Sequence, residues 1–293
     1  MVVRVPDGET LAPLPSHRWI EAAKLLDRIA DDTLVNSDAR SVLVFCDWRH
    51  LAAGGAPFAR WRGRGGFGEA LLNSYLADDA ASERTSAELQ SWFAHERARH
   101  HLATERIPLE TIPGWQLGDG TIIDAEKQLF AVQQFRITAR DREVQSWDQP
   151  LINSTGKGVA ALLCQSRNGI LHFLLHAALE PGNSETAQLT AAVQIPPQAR
   201  QSISVSPANP FHAVLEDCGA AGTHIRTSQS EEGGRFYRDI NDYSIVEIPA
   251  DRNLGVPGDL QWASLGQIKA LMRRPGIFTN EARSIVSLLL SYL

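Results

Sequence analysis

The sequence is poor in cysteine, with three in 293 residues, at positions 46, 164 and 218. They are widely separated, their number is odd, and they lack the paired spacing typical of zinc ligands. This pattern is typical of reduced thiols in a cytoplasmic protein. The first nine residues include Asp7 and Glu9 and do not resemble a signal peptide. We therefore expect a cytoplasmic location.

The sequence also lacks an excess of positive charge and any long apolar segment. Lys and Arg number 28 against 34 Asp and Glu, which gives a formal net charge of −6. Nucleic-acid-binding domains usually carry a basic surface, and a membrane-spanning helix needs about 20 apolar residues. No Walker loop, dinucleotide fingerprint, G-x-S-x-G elbow or HExxH motif is present. We therefore expect neither a nucleic-acid nor a membrane partner.

The composition is that of a globular protein, with 43% hydrophobic and 21% charged residues. Helical periodicity runs from about Trp19 to Asp47, and Thr85 and Glu88 have the spacing of a capping box. Two further helices are predicted at Leu265–Met272 and 280–290. Short β-type runs lie between these helical regions, at 129–137, 158–165, 169–179, 191–195, 224–228, 236–238 and 244–248. This order predicts an α+β fold around a mixed sheet or partial barrel.

A weak internal repeat suggests how the chain is divided. At an offset of 243 residues, Trp19 matches Trp262 and the Ala-Arg-Ser sequence at 39–41 matches that at 282–284. A Gly-, Ala- and Arg-rich stretch without periodicity begins at Leu51 and is typical of a linker. We predict closing helices of an incomplete first module at 1–50, a linker at 51–85 and a complete module at 86–293.

The segment 169–183 is the first candidate for a functional surface. In an extended strand the even-numbered side chains share one face, which carries His172, His176 and Glu180. The odd-numbered face, from Leu171 to Leu179, is wholly apolar and is predicted to be core. Successive polar residues of the even-numbered face are about 13 Å apart, which is too far for one metal ion but suits the wall of a long cleft. The alternative is a solvent-facing sheet surface with incidental histidines.

Two further segments are polar enough to bind a ligand. Residues 146–150 (SWDQP) combine an aromatic ring, a carboxylate and an amide, although a turn explains the same residues. Residues 229–237 (QSEEGGRFY) place carboxylates, an arginine and a tyrosine beside a two-glycine turn, which is also typical of an exposed hairpin. Lys157, between two glycines, can contact an anion.

These segments carry a family resemblance. SWDQPLI, GILHFLLHAALEPGN, QLTAAVQ, QSEEGGRFYRDINDYSIVEI, WASLGQI and TNEARSIV resemble motifs of the NDP-hexose 2,3-dehydratase family. The resemblance spans about 86–293 as one module, and QSEEGGRFY is similar to the second of the family's two modules. Residues 19–44 resemble the closing helices of a preceding module.

The resemblance implies a fold similar to Nudix hydrolases and removal of water across C2 and C3 of a TDP-4-keto-6-deoxyhexose, in deoxysugar and antibiotic biosynthesis. It implies no metal site and no redox cofactor, a homodimer, and a downstream 3-ketoreductase. The residues expected to transfer protons are His172, His176, Glu180, Glu231 and Tyr237. The residues expected to bind substrate are Trp147, Asp148, Gln149, Lys157, Asn183, Gln229 and Arg235.

Removal of water beside a ketone requires particular groups at the active site. The C4 ketone acidifies the C3 hydrogen, so a base must take that proton while an acid assists loss of the C2 hydroxyl. Two alternatives stay open: a catalytically silent nucleotide-sugar-binding remnant, and a half that depends on a partner. Nudix-type hydrolysis is disfavoured because no run of glutamates has the helical spacing that would hold Mg²⁺.

Overall fold

A computed structural model describes residues 6–13, 15–59, 66–126, 129–140, 142–182, 187–197 and 211–293. The helices of this part of the chain are α1 (Ala22–Leu26), α2 (Ser37–Phe45), α3 (Trp48–Leu51), α4 (Phe67–Leu76), α5 (Ser86–Arg99), α6 (Phe211–Cys218), α7 (Leu265–Met272) and α8 (Asn280–Ser287). Short 3₁₀ turns occupy Ala53–Gly55, Leu109–Thr111 and Leu288–Tyr292. The three cysteines are free.

The strands form two sheets. They are β1 (Trp115–Gly118), β2 (Thr121–Asp124), β3 (Phe130–Thr138), β4 (Ser146–Ser154), β5 (Val159–Arg167), β6 (Ile170–Leu179), β7 (Ala187–Ala191), β8 (Val193–Ile195), β9 (Thr223–Ser230), β10 (Ile240–Ile248) and β11 (Leu260–Ser264). The small sheet has the order β1-β2-β3-β4, and the large one β11-β6-β5-β10-β9 with β7 beside β6 and β8 beside β5. Strand β10 runs parallel to β5, and the other pairs are antiparallel. The predicted α+β class with a mixed sheet is confirmed.

Strand β6 lies in the large sheet and is buried on both faces over its first half. Leu171, Phe173 and Leu175 point into the main core, together with residues of α4, α7 and α8. Leu174, on the opposite face, packs in a second cluster with Trp262 of β11. The odd-numbered face was predicted to be core, and it is. The even-numbered face is exposed to a cleft only in its second half.

Two local predictions differ from the structure at the small sheet. Residues 146–150 form the start of β4, and not a turn, because β4 is an edge strand where the missing N–H of Pro150 is tolerated. Residues 236–238, predicted as a strand, belong to the connection between β9 and β10. That connection attaches to the edge of β4 through hydrogen bonds of Ile152 with Arg235 and Tyr237.

Part of the predicted linker is well packed. Helix α4 lies within 51–85, and the Ser74 hydroxyl donates to the carbonyl of Leu171 and accepts from the Leu265 N–H at 2.8 Å. Phe58 and Leu71 are fully buried in the main core. The stretch therefore joins the core of the large sheet, and the division into modules remains a proposal.

The weak repeat is visible in how the helices begin. Helices α1 and α7 follow N-cap residues Glu21 and Ser264, and α2 and α8 follow Asn36 and Thr279. Both pairs of caps are separated by the 243-residue offset found in the sequence. The start of each N-terminal helix therefore matches the start of its C-terminal counterpart.

An arginine contact is repeated as well. Arg40 Nη1 donates to the carbonyl of Val35, and Arg283 Nη1 donates to the carbonyl of Phe278 at 3.0 Å. Each arginine reaches back to the residue before the N-cap of its own helix, again at the same offset. The match thus extends from residue identity to hydrogen bonding.

Candidate active site

A cavity of about 720 Å³ lies between the small sheet and the face of the large one. Its walls come from β3 and β4 on one side, from β5, β6 and β10 on the other, and from α6, α8 and the β9–β10 connection at the ends. Its titratable lining residues are Glu180, Glu231, Asp239, Glu281, His176, His212 and Tyr243. No lysine or arginine lines it among the described residues. The cavity is therefore acidic.

Strand β6 supplies two of the predicted residues. His176 and Ala178 alternate along its second half, Glu180 directly follows its last residue, and all three line the cavity. Burial raises the pKa of Glu180, and the charge of Glu281 raises it further. Burial lowers the pKa of His176, whereas Asp259, with its Oδ2 3.3 Å from Nε2, opposes that change. Both groups are thus displaced toward their neutral forms.

Glu231 follows β9 and is the most firmly oriented carboxylate of the cavity. Its Oε1 accepts hydrogen bonds from Asn241 Nδ2 at 2.7 Å and from the Tyr243 hydroxyl at 3.1 Å. Burial raises the pKa of Glu231, and these two hydrogen bonds oppose the rise. Both contacts fall on Oε1, so Oε2 is the oxygen available for proton transfer.

Tyr243 is a neutral donor in this arrangement. Burial first, and then the charges of Glu231 and Glu281, raise its pKa well above the ordinary value. Asn241 and Tyr243 are two residues apart on β10 and therefore share the face that lines the cavity. The pair holds Glu231 in place without adding charge.

His172 lies outside the cavity, although it shares the even-numbered face of β6. Its Nε2 accepts from the Glu83 N–H at 3.1 Å, and its Nδ1 is 3.2 Å from the Ile170 carbonyl. The segment before α5 covers this half of the strand and buries the imidazole. The predicted continuous wall from His172 to Glu180 is therefore limited to His176 and Glu180.

Tyr237 does not line the cavity either. Its ring stacks on Phe135 of β3 with centroids 4.2 Å apart, and its N–H donates to the carbonyl of Ile152. Its neighbour Phe236 lines the cavity instead. Tyr237 thus fastens the β9–β10 connection to the small sheet.

The three residues predicted to bind substrate on β4 have structural contacts. Trp147 Nε1 donates to Gln149 Oε1 at 3.0 Å, and Gln149 Nε2 donates to the carbonyl of Gly234. Asp148 pairs with Arg136 of β3, with Oδ1 3.1 Å from Nε. These side chains brace the small sheet and the β9–β10 connection and are not among the cavity-lining residues.

The other predicted binding residues lie around the cavity or away from it. Lys157 Nζ is 3.8 Å from Asp242 Oδ1, and Arg235 Nη1 is 3.3 Å from Glu232 Oε2. Gln229 is buried, and its side-chain amide has no hydrogen-bond partner among the described residues. Asn183 lies outside the described residues.

Several lining residues were missed at the level of sequence: Asp239, Asn241, Tyr243 and Glu281. The first three lie in the stretch QSEEGGRFYRDINDYSIVEI, where the alternation of Asn241 and Tyr243 was the available signal. Glu281 lies in the first turn of α8 and matches Asp38 in the repeat. Nothing in its own helix pattern indicates that this turn faces a cavity.

The described residues contain no group of three or more His, Cys, Asp or Glu side chains arranged to hold a metal ion. Among the same residues, no helix is both long and apolar enough to cross a membrane.

Comparison with protein families gives a match over most of the chain. A family model described as NDP-hexose 2,3-dehydratase matches residues 86–289. A dTDP-4-dehydro-6-deoxy-alpha-D-glucopyranose 2,3-dehydratase of Saccharopolyspora spinosa is 34% identical over 290 residues, covering 98% of this chain and 58% of the relative. A protein of the same name from Amycolatopsis orientalis is 26% identical, and the match covers 92% of this chain and 51% of the relative. This chain thus spans between half and three fifths of these relatives.

Solved structures give a weaker match. An ADP compounds hydrolase has a TM-score of 0.31 and 16% identity, covering 55% of this chain and 84% of that one. The Ap4A hydrolase of C. elegans has a TM-score of 0.27 and 12% identity, with 41% and 88% covered. A Nudix hydrolase of M. smegmatis has a TM-score of 0.24 and 17% identity, with 53% and 92% covered. At these scores the likeness adds nothing to the question of function.

Proposed function

This chain belongs to the NDP-hexose 2,3-dehydratase family, and on that premise we propose that its cavity removes water from a dTDP-4-keto-6-deoxyhexose. The observation that carries the proposal is the convergence of Glu180, Glu231 and His176 on one cavity between the sheets. Proton abstraction beside a ketone, followed by loss of a hydroxyl, requires a base and an acid at one place.

Glu231 is the base in this proposal. Asn241 and Tyr243 hold its Oε1, so Oε2 can take the C3 proton of the sugar. A carboxylate whose pKa is raised is, in its ionised form, a stronger base than an ordinary one. The electrons of the C3–H bond then form the enolate of the C4 ketone.

Glu180 is the corresponding acid. Its raised pKa favours the protonated form, which can donate to the C2 hydroxyl as it leaves as water. Glu281 raises the pKa of both Glu180 and Glu231, and like-charged carboxylates in one site favour retention of a proton between them. His176 lies about 13 Å along β6 from Glu180 and contacts another part of the substrate.

The acidic lining favours the uncharged sugar ring over the diphosphate. We assign the diphosphate to the cavity rim, where Lys157 precedes the lining residue Gly158 and Arg235 precedes the lining residue Phe236. Guanidinium and ammonium groups bind phosphate oxygens by charge-assisted hydrogen bonds.

The test is turnover of the purified chain. We expect loss of one water from dTDP-4-keto-6-deoxyglucose, followed by mass spectrometry, without added NAD and in the presence of a chelator. Glu231→Gln should abolish the reaction, and the matched control Glu110→Gln, on an exposed 3₁₀ turn, should not. Unchanged substrate with the folded chain at high concentration would contradict the proposal.

A second candidate function is suggested by length. Since the chain spans 58% of one relative and 51% of another, it can represent a silent nucleotide-sugar-binding half or one that needs a partner. Such a chain would gain thermal stability from TDP without converting the sugar. Absence of any thermal shift with TDP would count against both functions.

The organisation of the chain belongs to the same proposal. We assign 1–50 to the closing helices of a first module, 51–85 to a connection and 86–293 to a complete module, supported by the matching helix caps at the 243-residue offset. We also propose that the protein is a cytoplasmic homodimer, that it acts with a partner 3-ketoreductase, and that it belongs to antibiotic biosynthesis. Light scattering of the purified chain tests the dimer.

A further inference from the structure

The connection between β9 and β10 decides where Glu231 lies. Residues 231–239 of this hairpin connection contribute Glu231, Phe236 and Asp239 to the cavity. The Glu231 carboxylate accepts hydrogen bonds from Asn241 and Tyr243, and its N–H donates to the Asp239 carbonyl at 3.0 Å. Its position depends further on what holds the residues on either side of it.

The residue before Glu231 is held by the N-terminal segment. Asp32 lies between α1 and α2, and its carboxylate accepts from the Ser230 N–H at 2.7 Å and from the Ser230 hydroxyl at 2.7 Å. The Thr227 hydroxyl donates to the carbonyl of Ala30 at 2.9 Å. The loop between the two helices therefore follows the end of β9 and is hydrogen-bonded to it at two points.

The residue after Glu231 is held by α8. Asn280 Nδ2 donates to Glu232 Oε1 at 2.7 Å. The amide oxygen of Asn280 accepts from Arg283 Nη2 at 3.1 Å and from the Ser41 hydroxyl of α2 at 2.9 Å. The amide is thereby fixed by both members of the repeated helix pair.

The buried side chain of Arg40 lies next to one of these anchors, Asp32. The Arg40 side chain is fully buried, with Nη2 3.8 Å from Asp32 Oδ1, and its Nε and Nη2 have no hydrogen-bond partner among the described residues. Burial lowers the pKa of Arg40, and the charges of Asp32, Tyr243 and Glu231 raise it in turn. The guanidinium therefore lies beside the carboxylate that anchors Ser230, and its charge favours ionised carboxylates around it.

We propose that the α1–α2 loop, through Ala30 and Asp32, and the start of α8, through Asn280, form a clamp that positions Glu231, with Arg40 as the buried positive charge paired with Asp32. Asp32, Asn280 and Arg40 are positioning residues, since they act through Ser230, Glu232 and Glu231. The activity readout of this clamp rests on the function proposed above.

A role in folding stability alone does not require this geometry. The two anchors bind the immediate neighbours of one cavity residue: one comes from the loop before α2, and the other from the first turn of α8, the helix that matches α2 at the 243-residue offset. A segment that only covers apolar surface has no reason to place a carboxylate on Ser230 and an amide on Glu232.

The test of the anchor is Asp32→Asn against Asp38→Asn. Both residues belong to the N-terminal segment, but Asp38 is exposed in the first turn of α2. We expect Asp32→Asn to lower kcat about 10- to 100-fold with KM little changed, because misplacement of a catalytic group by about 1 Å has an effect of that order. We expect Asp38→Asn to leave kcat unchanged. Equal kcat for the two variants would overturn the clamp.

The test of the charge does not need turnover. ¹³C NMR of glutamate-labelled protein, with the signal assigned from Glu231→Gln, gives the pKa of Glu231 directly. The charged or titratable groups that interact with it are Tyr243 on β10, Asp239 in the connection, Glu281 on α8 and Arg40 on α2. Glu180, which follows β6, shares the cavity, and Asp32 in the α1–α2 loop binds the neighbouring Ser230.

Removing a nearby positive charge raises a carboxyl pKa, so Arg40→Gln should raise the pKa of Glu231 and Arg40→Lys should restore it. An unchanged Glu231 pKa in Arg40→Gln would overturn the electrostatic role. If Arg40→Gln does not fold, the test is Arg40→Lys, which must retain the wild-type pKa of Glu231. A changed Glu231 pKa in Arg40→Lys would overturn the electrostatic role. An inactive wild-type chain with the expected titrations would contradict the dehydratase and leave the clamp standing.

Discussion

The N-terminal helix pair α1–α2 and the C-terminal pair α7–α8 begin with matched caps, yet they differ in what covers them. Trp19 is 73% exposed and its counterpart Trp262 is 3% exposed; Leu34 is 63% exposed and Ile277 is 4% exposed. The side-chain cap at Asn36 and Thr279 and the arginine contact are local, so both copies form them. Burial depends on tertiary packing: α8 packs on β5, β7 and β10, whereas α2 packs on α8.

The comparison also separates two roles of a repeated element. The C-terminal pair packs into the main core and supplies Glu281 to the cavity. The N-terminal pair keeps several apolar side chains exposed but supplies Asp32 and Arg40 to the neighbourhood of Glu231. The first pair therefore contributes to the site mainly through polar contacts.

The largest expected difference between the pairs is at Ile285 and Val42, which match in the repeat. Ile285 is fully buried and Val42 is half exposed. Ile285→Ala should lower the free energy of unfolding by about 2–5 kcal/mol, and Val42→Ala by less than about 0.5 kcal/mol. Urea unfolding followed by circular dichroism measures both. Equal losses would mean that the N-terminal pair is covered in solution.

A smaller effect is expected at the caps. Asn36 accepts from the Ala39 N–H at 2.9 Å, and Thr279 accepts from the Ala282 N–H at 3.1 Å. Asn36→Ala should reduce stability by about 1 kcal/mol. Thr279→Ala should reduce it by more, because the buried Thr279 hydroxyl also donates to the Thr190 hydroxyl at 3.1 Å. The same unfolding experiment measures both, and an equal loss at the two caps would contradict this difference.

The smallest effect concerns the pH dependence of stability. Burial raises the folded-state pKa of Glu231, so the folded state binds this proton more tightly than the unfolded state does. The resulting stabilisation is present at acid pH and is lost as pH rises through the folded pKa. Glu231→Gln should therefore raise Tm relative to wild type at pH 8 and converge with it near pH 4. A constant Tm difference between these pH values would contradict the raised pKa.

The sequence was sufficient for much of the local structure. The periodicity of 265–272 predicted the bounds of α7, and the Thr85–Glu88 spacing predicted the capping box of α5. Alternation predicted which face of β6 is core. These features depend on residues a few positions apart, and so a single sequence carries them.

Which residues line the cavity depends on long-range packing, and the periodicity of the sequence does not predict such packing. His172 and His176 lie on the same face of β6, but the segment before α5 buries His172 and no local signal predicts that cover. Glu281 reaches the cavity only because α8 packs beside β7 and β10. The predicted strand at 236–238 also depended on context, since Phe236 faces the cavity and is not part of a sheet ladder.

The most direct test of the central claim is the fate of the C3 hydrogen of dTDP-4-keto-6-deoxyglucose. The rate of loss of its ¹H NMR signal in D₂O reports proton abstraction, whether or not elimination is fast. We predict that the wild-type chain and Asp38→Asn remove this signal at the same rate, and that Glu231→Gln is slower by about 10²- to 10⁴-fold. A folded Glu231→Gln variant that removes the signal at the wild-type rate would contradict the assignment of the base and of the cavity as the active site.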